Sequence, residues 1–133
     1  MDNTEETVSE ELFLRNIVQY APNDIDKRNN VAGYSRDHWA GPLVEVNIAA
    51  GDQGLLVLDG YYTQELTGTE QITVYCNGTE IMQYHLVTSE IHMEIPCGSN
   101  AEVCLKLEAN FSFSATPPDV RTLSYQIYSL KGI

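Results

Sequence analysis

The chain has few basic residues and no long apolar run. Its 133 residues include 7 lysines and arginines against 19 aspartates and glutamates, a formal net charge of −12. This charge repels nucleic-acid phosphates and anionic lipid headgroups, so we expect neither as a partner. No stretch approaches the roughly 20 apolar residues of a membrane span. The opening Met-Asp-Asn-Thr-Glu-Glu has no basic segment followed by an apolar one, so we expect no signal peptide and a cytoplasmic location.

Cysteine and histidine are too few and too scattered to indicate a metal centre or a disulfide framework. Cys76, Cys97 and Cys104 have no CxxC spacing, and we expect free thiols. Strand parity disfavours pairing of Cys97 with Cys104, because only Cys97 shares the parity of a neighbouring core residue. The histidines at positions 38, 85 and 92 form no HxH, HxxxH or HExxH pattern. We therefore predict no metal and no cofactor.

The common catalytic motifs are also missing from the sequence. No serine lies in a G-x-S-x-G elbow, and no glycine-rich loop opens a helix that could cradle phosphate. The 19 acidic residues supply many candidate carboxylate pairs, but no pair has neighbours that would raise a pKa. We predict that the chain is not an enzyme.

The first 36 residues differ in pattern from the rest of the chain. Thr7-Val8-Ser9-Glu10 matches a capping box, and apolar residues follow at helical spacing, which predicts a short helix from Val8 to Tyr20. Polar, turn-forming residues then indicate a linker. So short a helix is marginal alone in water. It either docks on the following domain, packs against a partner such as an upstream domain, or is a frayed tail.

From Leu43 onward, apolar side chains recur with a period of two, which indicates strands with one buried face. We predict seven or eight antiparallel strands with no helix between them. Their spacing along the chain is typical of β-sandwiches and jelly rolls. The fold class is therefore all-β, a jelly-roll-like antiparallel β-sandwich over residues 37–133, with residues 1–36 as an N-terminal helix or tail and linker. The predicted core residues are Val44, Val46, Ile48, Ile72, Val74, Cys76, Ile91, Met93, Ile95, Val103, Leu105, Leu107, Leu123, Tyr125 and Ile127.

Two segments allow more detailed predictions. The apolar run from Leu55 to Tyr62 is typical of a central strand covered on both faces, with a bulge or a close backbone approach at Gly60. Asn77-Gly78 predicts a two-residue type I′ hairpin, because both central positions of that turn need a positive φ. In that register Val74 would lie opposite Ile81.

Residues 33–42 hold the best candidates for a binding site. Tyr34, Asp37 and His38 lie beside Trp39, the only tryptophan. Indole and phenol rings stack on the apolar faces of sugars, and carboxylates accept hydrogen bonds from hydroxyls, so the cluster is typical of saccharide recognition. Alternatively, Trp39 packs under the edge of the sandwich as a core residue.

Two further sites extend the list of candidates. Asp119 and Arg121 can point to the same side of an extended segment, where the guanidinium can bind a carboxylate through two hydrogen bonds. Their role is either a structural clamp before the last strand or a ligand contact. Tyr61 and Tyr62 point to opposite faces of a strand, so only one can share a ligand surface. Tyr61 joins the candidate ligand-binding residues.

The order of these short motifs resembles the accessory β-sandwich domains of bacterial glycosyltransferases and related cell-surface polysaccharide proteins. The resemblance covers about residues 37–133 and rests on Trp39-Ala40-Gly41, Gly60-Tyr61-Tyr62, Asn77-Gly78 and Pro118-Asp119-x-Arg121-x-Leu123-Ser124. It implies recruitment of a glycan or a protein.

We therefore expect a non-catalytic carbohydrate-binding-like module, an accessory domain of a larger bacterial glycan-handling protein. The alternative is a structural or oligomerisation domain that binds no glycan. The expected partner is accordingly a saccharide, or a protein partner or parent domain, and self-association stays open.

Overall fold

The computed structural model describes residues 23–27 and 31–133. The helix predicted from Val8 to Tyr20 lies outside these residues. Within them the chain forms a short 3₁₀ helix, Ile25–Lys27, and ten strands. The strands are β1 (Ala32–Tyr34), β2 (Trp39–Ala49), β3 (Leu55–Tyr61), β4 (Gln71–Cys76), β5 (Thr79–His85), β6 (Glu90–Pro96), β7 (Glu102–Ala109), β8 (Phe113–Ser114), β9 (Thr122–Leu123) and β10 (Tyr125–Gly132).

Seven of these strands form one antiparallel sheet, in the order β5-β4-β7-β2-β10-β3-β6, and β1 pairs with β2. The short strands β8 and β9 pair with each other. The edge strands β5 and β6 approach each other, and the backbone N–H of His92 in β6 donates to the hydroxyl of Tyr84 in β5 at 3.2 Å. The sheet is therefore nearly closed, and the prediction of an all-β antiparallel fold is confirmed.

The inner face of the sheet holds a single apolar core, because alternate residues of each strand point to the same side. In β6 and β7 every second side chain is buried, as the period-two pattern predicted. The buried predicted residues are Val44, Val46, Ile48, Ile72, Val74, Ile91, Met93, Ile95, Val103, Leu105, Leu107, Leu123, Tyr125 and Ile127. Cys76, at the end of β4, is only half-buried.

Strand β3 lies between β10 and β6, but only one of its faces is fully covered. Leu56 and Leu58 are buried on the inner face, whereas Asp59 and Tyr61 are exposed on the outer face. The prediction of a strand covered on both faces was wrong, because within residues 23–27 and 31–133 no second layer covers Asp59 and Tyr61. The close approach at Gly60 is confirmed, since a Cβ there would lie 2.2 Å from the Gln126 carbonyl oxygen.

The hairpin between β4 and β5 turns at Asn77-Gly78, as predicted. The φ angles of these two residues are 52° and 86°. The predicted pairing of Val74 with Ile81 was wrong, because the register shifts between Val74 and Tyr75. Val74 lies opposite Met82, and Ile81 is 38% exposed.

The N-terminal side of the described chain also contacts the sheet. Ile25 is buried in the core, and Asp24 forms an isolated β-bridge with Lys131. The domain boundary predicted between residues 36 and 37 falls in the turn between β1 and β2. No helix in residues 23–27 and 31–133 has the length and apolar character needed to cross a membrane.

Candidate functional site

The first predicted cluster occupies the turn between β1 and β2. Ser35 N–H donates to the Trp39 carbonyl at 3.0 Å, and His38 N–H donates to the Ser35 carbonyl at 2.9 Å. The Tyr34 hydroxyl lies 3.0 Å from His38 Nδ1 and donates to the Ile127 carbonyl at 3.1 Å. Tyr34 and His38 therefore hold the turn against β10.

Asp37, Arg121 and Asp119 form one ion-pair cluster, which we call the clamp. Arg121 Nη2 lies 2.9 Å from Asp37 Oδ2 and 2.7 Å from Asp119 Oδ2. Nε also donates to Asp119, and Nη1 donates to Asp37. Each nitrogen of the guanidinium therefore contacts a carboxylate of the protein. The clamp joins the turn at Asp37 to a segment 84 residues further along the chain.

The guanidinium changes the acidity of both carboxyl groups of the clamp. Its hydrogen bonds lower the pKa of Asp119 to about 2, and they also hold the pKa of Asp37 below its usual value. The hydrogen bonds that Arg121 donates to Asp119, and then those to Asp37, raise the pKa of Arg121 in turn. All three groups are charged at neutral pH, and the clamp has a net charge of −1.

An open cleft of about 300 Å³ lies beside the clamp. Its lining includes Trp39, Tyr34 and Arg121, together with Gly33 and Gly41. The indole of Trp39 contacts Phe113 edge to face, with ring centroids 5.8 Å apart, and is half-buried. Trp39 is therefore packed on one side but still lines the cleft.

Strand pairing connects this cleft to Tyr61. Trp39 of β2 pairs with Gln126 of β10, Gln126 pairs with Tyr61 of β3, and Tyr61 pairs with Glu90 of β6. Paired residues project from the same face of a sheet, and adjacent strands lie about 4.8 Å apart. These four residues, which we call the aromatic row, thus place Trp39 and Tyr61 about 10 Å apart on the outer face.

A second groove, of about 240 Å³, lies at the other end of the aromatic row. Tyr61, Tyr128 and His92 line it. Tyr128 is the extra residue of an irregularity in β10, between the pairs that Ile127 and Ser129 make with β3, and its side chain is 53% exposed. Its hydroxyl donates to Gln126 Oε1 at 2.8 Å. The irregularity therefore adds a second exposed tyrosine beside the row.

The imidazole of His92 lies between two carboxylates. His92 Nδ1 is 2.7 Å from Asp59 Oδ1, and Nε2 is 3.4 Å from Glu94 Oε2. The hydrogen bond to Asp59, and then the one to Glu94, raise the pKa of His92 above its usual value. This end of the row presents a histidine and several acceptors to solvent.

The structure thus brings most of the predicted residues into one region. Trp39 and Tyr61 lie in the aromatic row, Asp37, Asp119 and Arg121 form the clamp, and Tyr34 and His38 support the turn. Four residues of this region were not predicted as site residues from the sequence: Glu90, His92, Gln126 and Tyr128. Gln126 and Tyr128 alternate with core residues, so their outward direction was predictable, but their position beside Tyr61 depends on strand order.

In the described part of the chain, no three or more histidine, cysteine, aspartate or glutamate side chains are placed to hold a metal ion. Comparison of the chain with protein families, with curated proteins and with solved structures found no match.

Proposed function

We propose that the chain is a non-catalytic carbohydrate-binding module that binds a saccharide along the aromatic row. The observation that carries the proposal is the register of Trp39, Gln126, Tyr61 and Glu90 on the outer face. Aromatic rings stack on the apolar faces of sugar rings, and amide and carboxylate oxygens accept hydrogen bonds from hydroxyls. The row therefore offers alternating stacking and polar contacts over about 14 Å, three inter-strand spacings.

The two grooves support an open, extended site. One lies at Trp39 and the other at Tyr61, and the row runs between them. An oligosaccharide that crosses the strands would contact both aromatic residues, whereas a monosaccharide would reach only one. We therefore expect longer saccharides to bind more tightly.

The strands also suggest how the sheet is divided into layers, and the resemblance suggests where the module acts. We propose that β5-β4-β7-β2 and β10-β3-β6 act as the two layers of a jelly-roll-like sandwich, in which β2 and β10 are joined by only two residue pairs. As an accessory domain of a larger, bacterial glycan-handling protein, the module would hold a glycan near a catalytic domain.

The single tryptophan gives a direct test, because its fluorescence reports on the aromatic row alone. Neutral oligosaccharides of increasing length are titrated into the full chain, and affinity is measured by calorimetry and by Trp39 fluorescence. We expect Tyr61→Ala to weaken binding by at least about tenfold, about 1.4 kcal/mol, through loss of one stacking surface. Trp39→Ala should weaken it similarly.

Tyr75→Ala is the matched control. Tyr75 lies in β4, in the other half of the sheet, where its hydroxyl donates to Glu108 at 3.0 Å and Lys106 lies over its ring. This variant should keep the wild-type affinity. A chain that binds no glycan, or an equal loss of affinity in Tyr75→Ala and Tyr61→Ala, would refute the proposal. Self-association in light scattering, without glycan binding, would favour a structural or oligomerisation domain instead.

A further inference from the structure

Two of the three cysteines, distant in sequence, meet at one end of the sheet. Cys76 is the last residue of β4, and Cys97 follows the last residue of β6. Their Sγ atoms lie 3.7 Å apart, although 21 positions separate them in the chain. The third cysteine, Cys104, is exposed on β7.

Backbone hydrogen bonds fix the positions of both cysteines. Cys76 pairs with Thr79 in β5 and with Leu105 in β7. The Cys97 N–H donates to the Gly54 carbonyl at 2.8 Å. Both side chains are half-buried and pack against the core. The approach of the two sulfurs is therefore a consequence of the sheet topology.

The thiols differ in acidity from an ordinary cysteine. Burial raises the pKa of Cys97 to about 12 and also raises the pKa of Cys76. The thiolate is the form that attacks a disulfide, so both groups react slowly at neutral pH. Cys76, whose pKa is raised less, is expected to attack first.

We propose that Cys76 and Cys97 form a redox modification site, which closes to an intramolecular disulfide in the presence of a small disulfide oxidant such as oxidised glutathione. The Cys76 thiolate attacks one sulfur of the oxidant, breaks its S–S bond and releases one glutathione thiolate. The Cys97 thiolate then attacks the Cys76 sulfur of the mixed disulfide and releases the second glutathione. The two protein thiols lose two protons and two electrons, and one glutathione disulfide becomes two thiols.

The new bond would join the end of β4 to the residue that follows β6, and these two strands are not neighbours in the sheet. β4 pairs with β5 and β7, whereas β6 pairs with β3. A disulfide bond is about 2.05 Å long. The two Sγ atoms, now 3.7 Å apart, must therefore move closer by about 1.7 Å. The cross-link would restrain the unfolded chain, and we expect it to raise the thermal unfolding midpoint by about 10 °C.

The experiment incubates the folded full chain with oxidised glutathione at pH 8, followed by alkylation and peptide mapping by mass spectrometry. We expect linked peptides that contain Cys76 and Cys97, with Cys104 outside the cross-link and either alkylated or carrying one glutathione. Cys104→Ser is the matched control and should keep the cross-link and the rise in midpoint. Cys76→Ser and Cys97→Ser should lose both.

Three results would overturn the proposal. The first is a folded wild-type chain whose three thiols all stay free after prolonged exposure to the oxidant. The second is a dominant Cys97–Cys104 link, or loss of the cross-link in Cys104→Ser. The third is a Cys76–Cys97 link that lowers the unfolding midpoint, because the bond would then need a distorted fold. The wild-type mapping requires no substitution, so a variant that fails to fold leaves the test intact.

Discussion

Gly60 lies at a close backbone approach between β3 and β10, next to Tyr61 of the aromatic row, and its replacement by alanine tests that packing. A Cβ at this position would lie 2.2 Å from the carbonyl oxygen of Gln126 and 3.6 Å from the Cα of Ile127. A carbon and an oxygen in ordinary contact are separated by more than about 3.2 Å, so the backbones of β3 and β10 must separate by about 1 Å. The neighbouring side chains cannot absorb this change, because the contact is with backbone.

The expected cost follows from the pairs that this separation disturbs. Gly60 pairs with Ile127, and the next pair, Tyr61 with Gln126, belongs to the aromatic row. Overpacking typically costs 1–3 kcal/mol, and each weakened hydrogen bond contributes about 1 kcal/mol. We therefore expect Gly60→Ala to lower the free energy of unfolding by about 2–4 kcal/mol, a large part of the 5–15 kcal/mol typical of a domain.

Urea denaturation followed by circular dichroism measures this loss, with the slope of the transition as a check that both variants unfold alike. Gly41→Ala in β2 is the matched control, since its nearest contact would be an ordinary 3.4 Å from the Thr122 carbonyl oxygen. The control should change the free energy of unfolding by less than about 1 kcal/mol. Equal stability of the two variants would refute the reasoning.

Two further predictions concern the clamp and the core. The pKa of Asp119 is about 2, against an ordinary value of 3.8, so its contribution to stability is full above about pH 4 and is lost as the pH falls towards 2. Asp119→Asn should therefore flatten the acid side of the stability profile, and an unchanged profile would contradict the clamp. The hydroxyl of Tyr125 is buried without a hydrogen-bond partner among the described residues. Tyr125→Phe should raise the free energy of unfolding, measured by urea denaturation, by about 1 kcal/mol. A decrease of similar size would show that the hydroxyl has a hydrogen-bond partner.

The sequence predicted the strands well because their signal is local. Alternation along one strand depends on which side chains the core buries, and Ile91, Met93 and Ile95 follow that rule. The Asn77-Gly78 turn was also predictable, because both residues tolerate a positive φ. The exposure of Ile81 was not predictable in this way, because no local sequence signal indicates the register shift in β5 that causes it.

The candidate site was predictable only in parts. Trp39, Tyr61 and the Asp119–Arg121 pair were recognisable by residue type, but strand parity showed only that Tyr61 and Tyr62 face opposite sides, and the structure decided that Tyr61 is the exposed one. Their assembly was not recognisable, because it requires β10 to lie between β2 and β3. The same holds for Asp37, which reaches Arg121 across 84 positions of the chain.

The sequence by itself determined an all-β antiparallel chain and most of its core residues, because side-chain alternation and turn chemistry are properties of neighbouring residues. Only the tertiary structure decided the order of the strands, and with it the aromatic row, the clamp and the meeting of Cys76 with Cys97. Those contacts join positions far apart in the chain, and many strand orders can bury the same alternating residues.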